Sequence, residues 1–298
     1  MDVSIIVVNY NTKDLIRNCL NSIYKQTKEI SFEVIVSDNY STDGSIEMIK
    51  SDFPQVILIE NNANLGFGAA NNRGLDIARG KYIFYLNSDT VLLNNAVKMF
   101  FDYFEKADSN EQIGALGANL LDKNKNITIS YASFPTVENE IFAYIRKIFI
   151  TGVKIIFPLI RNKTKQRKHL FYTGDVDYIC GADLFVKNNE LAKFDETFFL
   201  YYEETDLQFK MSKKGLKRIL IDGPEIIHLE GGSNKTQKNI HSYISISNQF
   251  KDISRVLYLR KNVSKNAGNI LKILTFLYWT QPFFIFETKK NLKLLKNV

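Results

Sequence analysis

The chain has 298 residues, of which 45% are hydrophobic and 13% aromatic, enough to bury a large core and to exclude a disordered or fibrous protein. Its formal charge of +7 is unevenly spread: residues 141–168 carry eight Lys or Arg and no acid, and residues 251–298 carry ten against Asp252 and Glu287, which leaves the rest at about −9. An acidic body with two basic, apolar-rich segments argues against a nucleic-acid partner and for an anionic surface met by those segments alone.

Four short apolar runs in the first third read as buried strands: residues 3–8, 32–37, 55–60 and 82–86. The amphipathic stretches 12–26, 42–51 and 68–79 between them read as helices. Near-continuous apolar strands alternating with helices imply a parallel sheet covered on both faces, with ligands at the carboxyl ends of the strands. All four ends are polar, reading "NYN" at 9–11, "SDNYSTDGS" at 37–45, "NNANLGFG" at 61–68 and "NSDT" at 87–90. A carboxylate at the end of a buried strand is costly unless something pairs with it, and Asp38, Asp43 and Asp89 among these ends are more than ordinary turn chemistry requires.

The opening "MDVSIIVVNYN" lacks the basic start of a signal peptide, and Cys19 and Cys180 lie far apart with no CxxC spacing. Both features point to a reducing, cytoplasmic setting. Gly66 and Gly68 superficially match a dinucleotide-binding fingerprint, but Asn71 stands where Gly or Ala is wanted, and the first strand ends without glycine. No nicotinamide or flavin is expected.

In the second half, "FDETFFLYYEETDLQFKMSKKG" (194–215) places Glu203, Glu204 and Asp206 at the start of a helix, with Leu207 and Met211 on one face and Gly215 as its cap. Acids there complement a helix dipole in most proteins. These acids follow an aromatic run, and a carboxylate desolvated against aromatics gains proton affinity, as a general base needs. His228 ends a short apolar run before Gly231-Gly232-Ser233, where an imidazole can reach a metal.

The ordered series "SIIVVNYN", "VSDNYSTDGS", "NLGFGAANNRG", "YLNSDT", "ICGADLFV", "FDETFFLYYEETDL" and "IHLEGGS" resembles the family 2 glycosyltransferases, in particular the bacterial rhamnosyltransferase-like branch that builds capsule, O-antigen or other cell-wall glycans. The resemblance covers about residues 3–235 and implies the α/β GT-A fold, with a mostly parallel central sheet and helices on both faces. It implies a catalytic domain over 1–236, divided into a nucleotide-binding half (1–120) and an acceptor and base half (121–236), with a helical segment over 237–298.

By the same resemblance, the donor, a dTDP- or UDP-linked sugar such as rhamnose, falls to Asn9, Tyr10, Asn11, Asp38, Asn64, Gly66, Asn71, Asn87, Ser88 and Asp89. The acceptor, a glycan or polyprenyl-diphosphate-linked sugar, falls to Gly181, Ala182 and Asp183. Asp89 and His228 are the implied ligands of Mg2+ or Mn2+. The chain departs from the family pattern at Asn87, where an acid is common, and at Glu204, where the base is usually Asp, so Glu203 stays in play as the base. The implied chemistry is a single inverting displacement. A sugar nucleotidyltransferase would want a glycine-rich basic loop where this chain has "NYNTKD". A non-catalytic sugar-nucleotide or glycan binder is favoured only by the two departures.

The first basic segment, read as a helix from about 141, sets Arg146, Lys147, Thr151 and Lys154 near one face and Phe142, Ile145, Phe149, Val153 and Ile156 on the other. The apolar tail 270–286 contains Lys272, Gln281 and Pro282 and sits at the lower length limit of a span. Both segments are expected to dock peripherally on the anionic inner face of the plasma membrane, with packing within the chain or against a second copy, a homodimer, as the competing reading.

Overall fold

The structure, a computed structural model, describes residues 1–107, 112–156, 169–229 and 246–280, without the side chains of 151–156 and 246. The chain opens with β1 (Val3–Asn9), α1 (Lys13–Gln26), β2 (Phe32–Asp38), α2 (Ser45–Asp52), β3 (Ile57–Glu60), α3 (Phe67–Leu75) and β4 (Tyr82–Asn87), the alternation that the apolar runs imply. There follow β5 (Thr90–Leu92), α4 (Ala96–Lys106), β6 (Ile113–Gly117), β7 (Leu120–Leu121), β8 (Tyr131–Ala132), α5 (Val137–Ile156), β9 (Gly174–Asp175), β10 (Tyr178–Ile179) and β11 (Asp183–Lys187). The last elements are α6 (Glu203–Lys213), β12 (Lys217–Leu220), β13 (Ile226–His228), α7 (Ile246–Asn262) and α8 (Lys265–Trp279).

Two helix bounds differ from the sequence expectation for local reasons. α2 begins at Ser45 rather than 42, because the Asp43 carboxylate accepts from the Ser45 amide (3.1 Å) and Gly44 enters the helix at φ +80°. α3 ends at Leu75 rather than 79, because the amides of Ile77 and Ala78 bond back only three residues, to Gly74 and Leu75.

The main sheet has the order β3-β2-β1-β4-β11-β6-β12-β9. Its first four strands are parallel, with Asn9 opposite Asp38 and Val8 opposite Asn87 at their carboxyl ends. Alternate residues feed separate cores. Val3, Ile5 and Val7 pack with Ile16, Cys19, Leu20 and Ile23 of α1, while Ile6, Ile35, Ile83 and Tyr85 pack with Leu207 and Met211 of α6. The Cys19 thiol, fully buried, is pushed up to about 12 by desolvation and is a packing group.

The antiparallel strand β11 sits against β4 with Asp183 opposite Leu86, and the Asn87 amide donates to the Ala182 carbonyl at 3.0 Å. A small sheet, β5-β13-β7, sets His228 opposite Thr90. These two pairings bring three distant stretches of sequence to the carboxyl end of β4.

Packing divides the chain into two units. The sheet unit comprises Met1–Phe134, Lys168–Phe199 and Glu203–Thr236. The helical unit comprises Pro135–Arg167, Leu200–Tyr202 and Gln237–Val298, so α5 belongs with α7 and α8. Inside it, Arg255 Nε lies 2.8 Å from Glu140 Oε2 and donates to the Tyr202 hydroxyl at 2.8 Å. Lys147 Nζ pairs with Asp252 Oδ1 at 3.3 Å, and the Trp279 indole donates to Asp252 Oδ2 at 3.1 Å. Residues 200–202 are tied one by one to α7: the Ser254 hydroxyl donates to Leu200 O (2.9 Å), the Tyr201 and Ser247 hydroxyls meet (2.7 Å), and Tyr202 takes the Arg255 bond.

α5 corrects the expected division of its faces. Tyr144 is fully buried and Lys147 lies over the Tyr278 ring, whereas Phe142, Ile145 and Phe149 are exposed. Arg146, expected beside Lys147, is exposed on the side of Phe142, one residue being a 100° turn of the helix. Thr151, Lys154, Val153 and Ile156 lie outside the residues whose side chains are described, as do Gln281 and Pro282 of the tail and the Gly231-Gly232-Ser233 turn.

Candidate active site

The ends of β1 and β2 are held together by a network of short side chains. Asn9 Nδ2 donates to Asp38 Oδ2 (2.7 Å) and Ser41 Oγ (3.1 Å), the Ser41 amide donates to Asp38 Oδ1 (2.8 Å), and the Thr12 hydroxyl donates to Asn9 Oδ1 (2.6 Å). The fully buried Asp38 is thus paired on both oxygens, which answers the cost of placing a carboxylate at a strand end. Asn11 accepts from the Thr42 amide at 2.8 Å, and Asn64 accepts from the Gly66 amide at 3.0 Å and from Asn39 at 3.1 Å.

Two aromatics stand exposed at this edge, Tyr10 after β1 and Tyr40 after β2. Tyr40 and Asn11 both adopt left-handed backbone, φ +72° and +53°, uncommon for a tyrosine. Sequence reading named Tyr10 and missed Tyr40, because a tyrosine in a polar loop carries no periodic signal.

Gly66 has a structural reason for being glycine. At φ +88° its hydrogen faces the Phe199 carbonyl, which a Cβ would approach to 2.3 Å, and the next amide, Phe67, donates to the same oxygen at 2.8 Å. Asn71 is buried, and its amide donates to Phe67 O (3.1 Å) within α3.

At the end of β4, Asp89 Oδ1 lies 3.3 Å from His228 Nε2, both side chains being more than four-fifths buried. The antiparallel β5–β13 pair sets this distance, and the Leu229 amide donates to Asp89 O at 3.0 Å. Ser88 Oγ lies 3.1 Å from the Thr12 hydroxyl, joining this stretch to the β1 end. Asn87 Oδ1 is buried with no hydrogen-bond partner, as is His228 Nδ1. Among the described residues no group of three His, Cys, Asp or Glu comes together. One carboxylate, one imidazole and an unpaired amide oxygen suit a divalent cation that completes its shell with substrate oxygens.

α6 brings Glu204 to Gly181, just before β11, and Glu203 against Gly68 of α3. Glu203 is 3% exposed, and its Oε2 has no hydrogen-bond partner. Desolvation, with the neighbouring Glu204 charge, raises its pKa well above the usual carboxylate range. Glu204 is half-buried and rests on Gly181: a Cβ there would lie 3.3 Å from Glu204 Cβ and Cγ. Gln208, one turn on, accepts from the Ile179 amide and donates to the Ile179 carbonyl, both at 2.8 Å, fixing α6 to the strand that leads into Gly181. Nothing in the sequence marked Gln208.

Of the expected acceptor residues, Gly181 is half-open, while Ala182 and Asp183 are fully buried. Asp183 Oδ2 accepts from the Ala118 amide at 2.7 Å, and desolvation raises its carboxyl well above the usual range. Asp183 therefore joins β11 to the turn after β6 and has no surface to offer an acceptor.

The fold matches solved structures. A mannosyltransferase from Pyrobaculum calidifontis, solved with GDP-Man and Mn2+, superposes over 99% of this chain and 75% of its own with TM-score 0.54 at 16% identity. Among curated sequences, the chain is 34% identical over 122 residues to a poly(ribitol-phosphate) beta-glucosyltransferase of Bacillus spizizenii, a match over 39% of this chain and 19% of that protein. It is 24% identical over 240 residues, 75% of each chain, to an N-acetylglucosaminyl-diphospho-decaprenol L-rhamnosyltransferase of Mycobacterium tuberculosis. The first of these curated relatives is thus matched over less than a fifth of its length. The family model of glycosyl transferase family 2 matches residues 4–158, just over half of the chain and the stretch that carries Asp38 and Asp89. With the mixed sheet of a GT-A fold beneath that match, the chain belongs to glycosyl transferase family 2.

Proposed function

We propose that the protein transfers a sugar from a nucleotide-diphosphate donor to a glycan or polyprenyl-diphosphate-linked acceptor, with inversion at the anomeric carbon, in the making of bacterial surface polysaccharide. The observation that carries this reading is the juxtaposition at one sheet edge of Asp89 with His228 and, one β11 pairing away, Glu204 against Gly181. The β1 and β2 ends, with Asn9, Asn11 and Asp38, take the nucleoside, and Tyr10 and Tyr40 offer π faces for the base. Asn64, bonded to Asn39 after the β2 end and to the Gly66 amide, adjoins them.

Asp89 and His228, with Asn87, would hold Mg2+ or Mn2+, which when bound supplies positive charge to the diphosphate leaving group. Glu204, the half-exposed member of the pair, takes the acceptor hydroxyl proton as that oxygen bonds to the anomeric carbon. The bond from that carbon to the phosphate oxygen breaks, and the nucleoside diphosphate leaves with the electron pair. Glu203, buried beneath it, leaves the basic role to its more exposed neighbour. The donors to try are dTDP- and UDP-linked sugars, with rhamnose first because one relative is an L-rhamnosyltransferase. A lipid-linked acceptor puts the reaction at the inner face of the plasma membrane.

The test is a panel of radiolabelled dTDP- and UDP-sugars with Mn2+ or Mg2+. Chelator-sensitive transfer to acceptor, or slow donor hydrolysis, is expected. Exchange of labelled diphosphate into nucleoside triphosphate would instead mark a nucleotidyltransferase. Asp89→Ala should abolish transfer and the metal-dependent part of nucleotide binding without unfolding the sheet, and unchanged metal-dependent binding would overturn the assignment of that carboxylate.

A further inference from the structure

The helical unit carries an apolar surface that the proposed chemistry does not use. α5 is amphipathic in the reverse of the soluble sense: it turns Glu140, Tyr144 and Lys147 toward α7 and α8 and presents Phe142 (69% exposed), Ile145 and Phe149 (71%) outward. α8 buries Ala267, Leu271, Thr275 and Trp279, yet exposes Ile270, Ile273 (60%), Phe276 and Leu277. Contiguous exposed rings and branched aliphatics mark a contact surface.

Charge identifies what meets it. Among the described residues of this unit there are three acids, and two of them, Glu140 and Asp252, are consumed inside by Arg255 and by Lys147 with Trp279. Only Glu138 is left exposed, against exposed Arg146, Lys251, Lys261 and Lys265 and a half-buried Lys272. Arg146 stands beside the α5 stripe and Lys272 beside the α8 stripe, where a long basic side chain can reach phosphate while its neighbours enter acyl chains. A protein interface core is depleted in lysine, whereas an anionic lipid surface rewards this arrangement. Among the described residues no helix is long and apolar enough to cross a membrane.

We infer that the outward stripes of α5 and α8 dock the helical unit on an anionic bilayer surface, shallowly and reversibly, through Phe142, Ile145, Phe149 and Ile273 with Arg146 and Lys272. The occupant is lipid, and the contact needs neither donor nor acceptor sugar.

The test is co-sedimentation of the full chain with vesicles of phosphatidylglycerol and phosphatidylcholine (1:1), or of phosphatidylcholine alone, with no sugar nucleotide present. Binding should be at least tenfold tighter to the anionic vesicles and should weaken as salt rises. The variant carrying Phe142→Ser, Phe149→Ser and Ile273→Ser should lose tenfold or more of that binding with unchanged circular dichroism, because all three side chains are exposed. Arg146→Glu with Lys272→Glu should abolish the preference for anionic lipid. Unaltered binding by the triple serine variant would overturn the inference, as would indifference of the wild type to anionic vesicles. A wild-type dimer that the triple variant converts to monomer, with no vesicle binding, would assign the face to a second copy and overturn it too. Because sugar transfer is not read, this result is independent of the outcome of the donor panel.

Discussion

Glu203 and Glu204 are adjacent in sequence and opposite in circumstance, a difference of burial that no sequence pattern discloses. Glu204→Gln should lower turnover by about 10² to 10⁴ with donor affinity near wild type, and Glu203→Gln should do less. The reverse ranking in a steady-state assay would make Glu203 the base. Glu203 also predicts a pH effect on stability. Its folded pKa is raised, so below the ordinary glutamate range both folded and unfolded chains are protonated and the residue contributes nothing. Above that range the unfolded chain ionises while the folded one keeps its proton, and stability falls as pH rises. Glu203→Gln removes this term, so its Tm should approach wild type below the ordinary glutamate range and exceed it increasingly as pH rises through and above that range. A Tm difference independent of pH would show that Glu203 is ionised in the fold. Asp38, Asp89 and His228 were legible because a polar residue at the end of an apolar run is an anomaly in one dimension. Tyr40 was not, since its meaning depends on the pairing of the β1 and β2 ends that Tyr10 and Tyr40 follow.

Element by element, the sequence disclosed the βαβ alternation and left the antiparallel half obscure. β7 to β10 are two residues each, too short for any periodicity, and their pairing is set by contacts such as Ile179 with Gln208. The Gln208 amide meets both polar backbone groups of Ile179, as a neighbouring strand would, and thereby fixes the first turn of α6 beneath Gly181. Gln208→Leu keeps the volume and leaves a buried amide and carbonyl unpaired, at about 1 to 3 kcal/mol each. Turnover should fall about tenfold or more while donor affinity, measured by calorimetry, changes little, since none of the groups proposed to hold the donor or its metal bonds to Gln208. Equal losses in turnover and donor affinity would mean general unfolding of the sheet edge instead. Gly66 shows the converse hazard: its GxG setting suggested phosphate binding, but the contact that requires glycine is a carbonyl of its own chain.

Across the whole molecule, the boundary at 236 is a boundary of sequence, whereas packing assembles the helical unit from Pro135–Arg167, Leu200–Tyr202 and Gln237–Val298. The charge count located two of those stretches but had no means of pairing Glu140 with Arg255 or Lys147 with Asp252, contacts across more than a hundred residues. Their energetics make the unit indivisible. Removing one partner of a buried ion pair costs about 3 to 5 kcal/mol, comparable to much of the stability of a small domain. A chain cut after residue 236 removes Asp252, Arg255 and Tyr278 together, leaving Glu140, Tyr144 and Lys147 of α5 without the groups they pack on. It also frees Tyr201 and Tyr202, both held in left-handed backbone at φ +68° and +70° by hydroxyl bonds to α7, directly before Glu203. The fragment 1–236 should therefore lose the helicity of α5 by circular dichroism, bind a hydrophobic dye, and show sugar transfer at least a hundredfold below the full chain. Arg255→Met in the full chain should reproduce the stability loss in part, by about 3 kcal/mol in denaturant titration. A fragment that stays folded and fully active would show that residues 1–236 form a self-sufficient catalytic domain, and that the ties between α7 and residues 200–202 are dispensable to the base.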